Sequence, residues 1–99
     1  MSLYTQFGAV NKLTVSAAAA ANSTIVATTQ PRRVAVIGTV AFHALIGPSS
    51  PTPPAAANTD FYYPAGTIHI FDIPAGSEIS FRGTGSGEVY VQQAVSIGD

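Results

Sequence analysis

Two histidines (His43 and His69), five carboxylates and four basic side chains carry most of the ionisable chemistry in this 99-residue chain, which has no cysteine. His69 and Asp72 come nearest to a hydrolase, since a nearby serine would complete a nucleophile–base–acid set. The combination is unspecific: no G-x-S-x-G elbow presents a serine, and a strand histidine is more often a hydrogen-bonded, partly buried structural residue. Asp72 and Glu78 are a second candidate, because two facing carboxylates can cleave a glycosidic bond. Exposed strand carboxylates without a pocket are ordinarily just solvated. No histidine pair has the H-E-x-x-H spacing of a helical zinc site, and thiolate ligands are excluded by composition.

"GTGSG" (83–87) looks superficially like a phosphate cradle but lacks the Lys-Ser/Thr and the helix that a P-loop requires, so a flexible turn is the simpler reading. Arg32-Arg33, the basic pair, could grip a carboxylate or phosphate, yet it also fits the exposed start of a strand. Tyr62, Tyr63 and Tyr90 could substitute for the tryptophan platform of a sugar-binding surface, since the chain has no tryptophan. These residues predict no catalytic site, no metal site and no cofactor.

The elements that would position them are strands. "NKLTVSA" alternates Leu13 and Val15 with Lys12, Thr14 and Ser16, the pattern of a half-buried strand. Ala17–Ala21 has helical propensity but is too short to hold a helix alone, so a loop or single turn is expected. "STIVATT" reads as a second strand. In "RRVAVIGTVAFHALIG", Val34, Val36, Val40 and Phe42 share one parity and mostly smaller side chains occupy the other, which predicts a strand bent or split near Gly38. The proline-rich Gly47–Asp60 has no periodicity and predicts a long surface loop capping one end of the domain. "EVYVQQAVS" closes the chain as a strand with Val89 and Val91 on one face.

Pro64-Ala65-Gly66-Thr67 and Pro74-Ala75-Gly76-Ser77 repeat one phrase ten residues apart. Proline followed by glycine suits a type I turn with a left-handed glycine, a standard hairpin connection. That predicts an antiparallel meander over about 60–63, 67–73 and 77–82, with Ile73 opposite Ser77. Phe71 would then face Ile79, and His69 would face both Phe81 and Phe61 on the core side. Asp72 and Glu78 would be cross-strand neighbours. Tyr62, Ile68 and Ile70 would lie on the outer side with Ser80 and Arg82 as an assembly interface.

The whole chain therefore predicts an all-β fold, a small antiparallel β-sandwich or jelly-roll-like barrel of about seven or eight short strands. Residues 11–99 form one domain with the proline-rich loop at 47–60. Residues 1–10 are apolar but irregular, and predict an arm that contacts a neighbouring chain through Leu3, Tyr4 and Phe7. Charged residues are 9% of the chain, against roughly 25% in ordinary domains. Four scattered basic residues make no nucleic-acid patch. The start of the chain does not read as a signal peptide, and no apolar run reaches the roughly 18 residues of a membrane span. A folded chain so poor in charge tends to associate: either its surface is merely neutral and kept soluble by Ser, Thr, Asn and Gln, or other subunits cover it, as in the homo-oligomer, trimer or dimer, expected here.

The Ala/Thr/Ser/Gly-rich strands, the "IPAG" turn (Ile73–Gly76) and the "GEVYVQQA" ending (Gly87–Ala94) resemble the small β-sandwich virion proteins of tailed bacteriophages, loosely and over most of the chain. The resemblance implies a non-enzymatic capsid decoration or cement protein on the phage head surface, with the major capsid protein as partner. It carries no catalytic residue. A carbohydrate-binding or adhesion module of a phage tail or fibre is the alternative it leaves open.

Overall fold

The computed structural model describes residues 3–23 and 30–97, and the side chains of 11–23 and 30–93. Within these residues lie eight strands and no helix: β1 (Leu3–Val15), β2 (Ala21–Asn22), β3 (Arg32–Gly38), β4 (Phe42–Pro48), β5 (Phe61–Tyr63), β6 (His69–Ile73), β7 (Ser77–Gly83) and β8 (Gly87–Ile97). They form two four-stranded sheets, a front sheet in the order β1-β8-β3-β6 and a back sheet in the order β2-β7-β4-β5.

The pairing has a simple origin. β1 pairs with β8, β2 with β7, β3 with β6 and β4 with β5, all antiparallel. These are the rungs of a single long hairpin. Rolling that ribbon up brings β3 beside β8 and β4 beside β7. The result is the jelly-roll path, in which two sheets pack face to face and do not close into a barrel.

Alternation along each strand supplies the core. Val34 and Val36 of β3, Phe71 and Ile73 of β6, and Val89 and Val91 of β8 face Phe42 and Ala44 of β4 and Ile79 and Phe81 of β7, all buried in one cluster with Val15. Burying side chains of this size contributes roughly 1.5–3 kcal/mol each. The strand expected to split at Gly38 does so, and its halves join different sheets. A Cβ at Gly38 would stand 2.6 Å from the Val40 carbonyl oxygen and 2.8 Å from the Phe42 ring, so the corner closes only on glycine. The alanine run forms no helix and carries the chain from β1 to β2. Most of the expected "STIVATT" strand lies outside the described residues.

Three expectations need correction. First, the repeated turn makes corners, not hairpins. Gly66 and Gly76 do take positive φ, 76° and 80°, and Ser77 N–H donates to Pro74 O at 3.1 Å. However, each turn carries the chain across the sandwich, from β5 in the back sheet to β6 in the front, and back again to β7. Phe71, Ile79 and Phe81 still point inward, because parity survives the change of partner. The pairs Phe71–Ile79, His69–Phe81 and Phe61–His69 do not form: β6 pairs with β3, and β7 with β4 and β2. Phe61, expected in the core, is 79% exposed.

Second, residues 3–10 are the first part of β1, with Leu3 opposite Ile97 and Phe7 opposite Ala94. Two register shifts, between Leu3 and Gln6 and between Phe7 and Val10, break the alternation that would have marked a strand. The side chains of Leu3, Tyr4 and Phe7 lie outside the described ones. Third, the proline-rich loop does not cap an end. It lies across the outer face of the back sheet, where Ala56 is buried.

Candidate functional site

The residues with reactive chemistry are dispersed by the fold. His69 and Asp72 differ in parity on β6, so they face opposite sides of the front sheet. His69 turns toward the interior and packs against Tyr63 and Phe42, with ring centroids 4.9 and 5.9 Å away. Its Nε2 lies 3.4 Å from Pro64 O, a long hydrogen bond. The histidine drawn inward among aromatics is thus present, although its neighbours come from another pairing. Asp72 turns outward, where Arg33 holds it with two hydrogen bonds, Nε to Oδ1 at 2.6 Å and Nη2 to Oδ2 at 3.1 Å. The Arg33 hydrogen bonds hold the Asp72 carboxyl below its ordinary value against the opposing effect of burial, with the Arg33 charge adding to the lowering.

Glu78 does not face Asp72 across a hairpin, because β6 and β7 lie in different sheets. It sits on the outer side of the back sheet, where its Oε2 accepts a hydrogen bond from Asn22 Nδ2 at 2.9 Å. The expected carboxylate pair is therefore split between two sheets. Thr84, in the "GTGSG" turn, donates its N–H and its Oγ1 hydroxyl to Ala41 O at 3.0 and 2.9 Å, so this turn clamps two corners together. Among the described residues there is no group of three or more histidine and carboxylate residues that could hold a metal ion.

The surfaces are more distinctive than the chemistry. On the back sheet, Glu78, Ser80 and Arg82 of β7 point outward; Asn22 binds Glu78, and the loop over 49–60 supplies partners to Ser80 and Arg82. Ala56 N–H donates to Ser80 Oγ at 2.9 Å. Arg82 donates from Nε to Ala56 O and from Nη1 to Ala17 O, both at 2.9 Å. Asn22 Nδ2 donates to Pro54 O at 2.9 Å, and His43 Nδ1 donates to Asp60 O at 2.9 Å. Ser80 is fully buried under this cover although it faces away from the core.

The outward side of the front sheet is different. Ala35 and Ile37 of β3 alternate with the core valines. Ile37 lies opposite Tyr90 of β8, and Ala35 opposite Ile70 of β6 on one flank and Gln92 on the other. Tyr90 in turn lies opposite Lys12 of β1. An apolar stripe thus crosses the sheet from Tyr90 through Ile37 and Ala35 to Ile70, with Ile68 two residues beyond. Ile70 is 57% and Ile68 65% exposed. The Arg33–Asp72 pair borders the stripe, and among the described residues no loop is pinned over it.

The chain matches no protein-family model, no curated protein and no solved structure. Its own surfaces carry the functional argument.

Of the side chains expected at an interface, Tyr62, Ile68 and Ile70 are all exposed, Tyr62 by 59%. They do not share one face. Tyr62 points outward from β5 in the back sheet, where its ring meets His43 at 5.8 Å, while Ile70 points outward from the front sheet. Ser80 and Arg82, expected beside them, lie under the proline-rich loop. Ile37 was not singled out, and Tyr90 was named only for a sugar-binding platform, although their parity opposite Val36 and Val89 was the available signal for an outward apolar face.

Proposed function

We propose that the chain is a non-enzymatic structural protein of a tailed-phage particle, a decoration or cement protein that lays its front sheet against the major capsid protein on the head surface. The observation that carries this reading is the outward-facing apolar stripe of Ala35, Ile37, Ile70 and Tyr90, in which Ile70 is exposed and the other three are half-buried. An apolar patch on an otherwise satisfied surface marks an interaction site. The jelly-roll path supports the reading at the level of fold analogy only, since viral capsid domains and lectins both use it. The phage assignment itself comes from the resemblance in the sequence.

The mechanism is contact area. A rigid sandwich seated over a junction adds interface that must break before capsid subunits separate, and many symmetric copies multiply the effect. At the β6 end of the stripe Arg33 is compensated by Asp72, and at the other end Lys12 stands opposite Tyr90. Glycan binding would favour aromatic rings converging on one platform. Tyr62 and Tyr63 lie on opposite sides of β5, and Tyr90 is on the other sheet, so these three rings do not converge.

The test is co-sedimentation of the purified protein with expanded phage heads. Saturable binding with a fixed copy number per head is expected. Failure to bind any head form, by a folded preparation, would refute the cement reading.

A further inference from the structure

Phe61 is the most exposed large hydrophobic side chain among the described residues, 79% open to solvent, although it shares its parity with the half-buried Tyr63. The cause is a mismatch in strand length. The β4–β5 ladder stops where Ala44 lies opposite Phe61, so Leu45 and Ile46 of β4 run past the end of β5. The strip left open is a hollow of about 190 Å³, lined by these two residues and Ala44, by the rings of Phe61, Tyr63 and Phe71, and by Asp60 at the end of the proline-rich loop.

We infer that this hollow binds a quaternary ammonium group, the trimethylated amine of a small molecule. Its lining selects that chemistry. Asp60 is the only charged residue in it, so the site favours a cation over an anion. Three of the lining residues are aromatic. The Tyr63 ring centroid is 6.5 Å from that of Phe61 and 5.1 Å from that of Phe71, with the planes inclined by 44° and 74°. Rings set at such angles make a corner, and a cation within about 6 Å of their centroids is attracted by their quadrupoles.

A primary ammonium fits less well. It carries three N–H donors, and beyond the Asp60 carboxylate and the Tyr63 hydroxyl no lining side chain has an acceptor. A quaternary ammonium has no N–H to satisfy, and a carboxylate several ångströms away favours its charge without touching it. Asp60 is held in place: Oδ2 accepts the Ala57 N–H at 2.7 Å, its own N–H donates to Ala57 O at 3.1 Å, and its carbonyl accepts from His43 Nδ1 at 2.9 Å. A carboxylate already fixed loses little freedom when a cation arrives. The size also fits. An apolar cavity of roughly 150 Å³ holds benzene, so this hollow has room for a trimethylammonium head with the rest of the molecule outside.

NMR titration of the full chain tests the inference, with choline as the probe and the Phe61, Tyr63 and Phe71 ring resonances as the readout. Saturable shifts with a Kd of about 1 mM are expected. The uncharged carbon analogue of choline, in which a tert-butyl group replaces the trimethylammonium, should bind about tenfold more weakly, and butylammonium should also bind less tightly than choline. Asp60→Asn keeps an oxygen for the Ala57 N–H and should weaken choline about threefold without affecting the uncharged analogue. Phe61→Leu, which removes an exposed ring, should weaken choline and leave the thermal melt unchanged. Shifts that do not saturate by about 50 mM choline would overturn the inference. So would equal binding of choline and its uncharged analogue, tighter binding of butylammonium, or full choline affinity in folded Phe61→Leu or Asp60→Asn. No phage head takes part, so the outcome is independent of the proposed function.

Discussion

The back sheet turns Ser80 and Arg82 outward and covers them with its own proline-rich loop, whereas the front sheet turns Ala35, Ile37, Ile70 and Tyr90 outward with no such loop pinned over them among the described residues. Both sheets contribute to one core, so the difference is not about holding the sandwich together. Polar groups that would be costly to bury alone are satisfied within the chain on the back: Ser80 takes the Ala56 N–H, and Arg82 binds the carbonyls of Ala56 and Ala17. Apolar groups that gain from burial are left available on the front. Intramolecular cover and intermolecular contact are two ways of completing a sheet face, and this chain uses one on each side.

The contrast breaks most visibly if the cover is forced off. Ala56, within the loop, is buried against the sheet, and Ala56→Arg has no room for its side chain. Overpacking there should cost roughly 2–3 kcal/mol, or a fall of about 10–20 °C in Tm for a domain of this size. Thermal and urea unfolding followed by circular dichroism would measure it. An unchanged melt would mean that the loop is only draped over the sheet.

Charge at the border of the front stripe should matter much less. The Arg33–Asp72 pair is solvent-exposed, so it contributes about 0.2–1 kcal/mol. Because folding lowers the Asp72 pKa, that stability is fully present above the unfolded value near 3.9 and is lost as pH falls through the lower folded value. Asp72→Asn should therefore be slightly less stable than the parent at neutral pH and equal to it once the parent's Asp72 is protonated in both its folded and unfolded states. Urea titrations across that acid range give the answer, and a difference that persists in strong acid would point to packing instead of charge.

Much of this organisation was legible in the sequence, and the part that was not has a physical cause. Parity identified Val34, Val36, Phe42, Phe71, Ile73, Ile79, Phe81, Val89 and Val91 as inward-facing, because alternation reports which side of a strand is buried. It does not report which strand lies alongside. A Pro-Ala-Gly phrase serves a hairpin and a sandwich corner equally well, so the turns at Gly66 and Gly76 were recognised while the partners of β6 and β7 were not. β1 was hidden before Val10 because two register shifts erase its alternation.

The loop over 49–60 had no periodicity to read. Its place depends on Asn22, Ser80 and Arg82, which only the fold assembles beneath it. The same limit applies to the candidate surface. Ile68 and Ile70 could be recognised as outward-facing from the sequence. Ile37 and Tyr90 join them only through the β3–β6 and β3–β8 ladders.

The unequal roles of the two faces are tested most directly by one variant, Ile37→Thr with Ile70→Thr, measured twice in the same preparation. Threonine keeps the β-branched shape of the strand, so the free energy of urea unfolding should stay within about 1 kcal/mol of the parent. Co-sedimentation with expanded phage heads should be lost. A large drop in stability with head binding intact would contradict the assignment, because those side chains would then be structural and the front sheet would not be the surface that meets a partner.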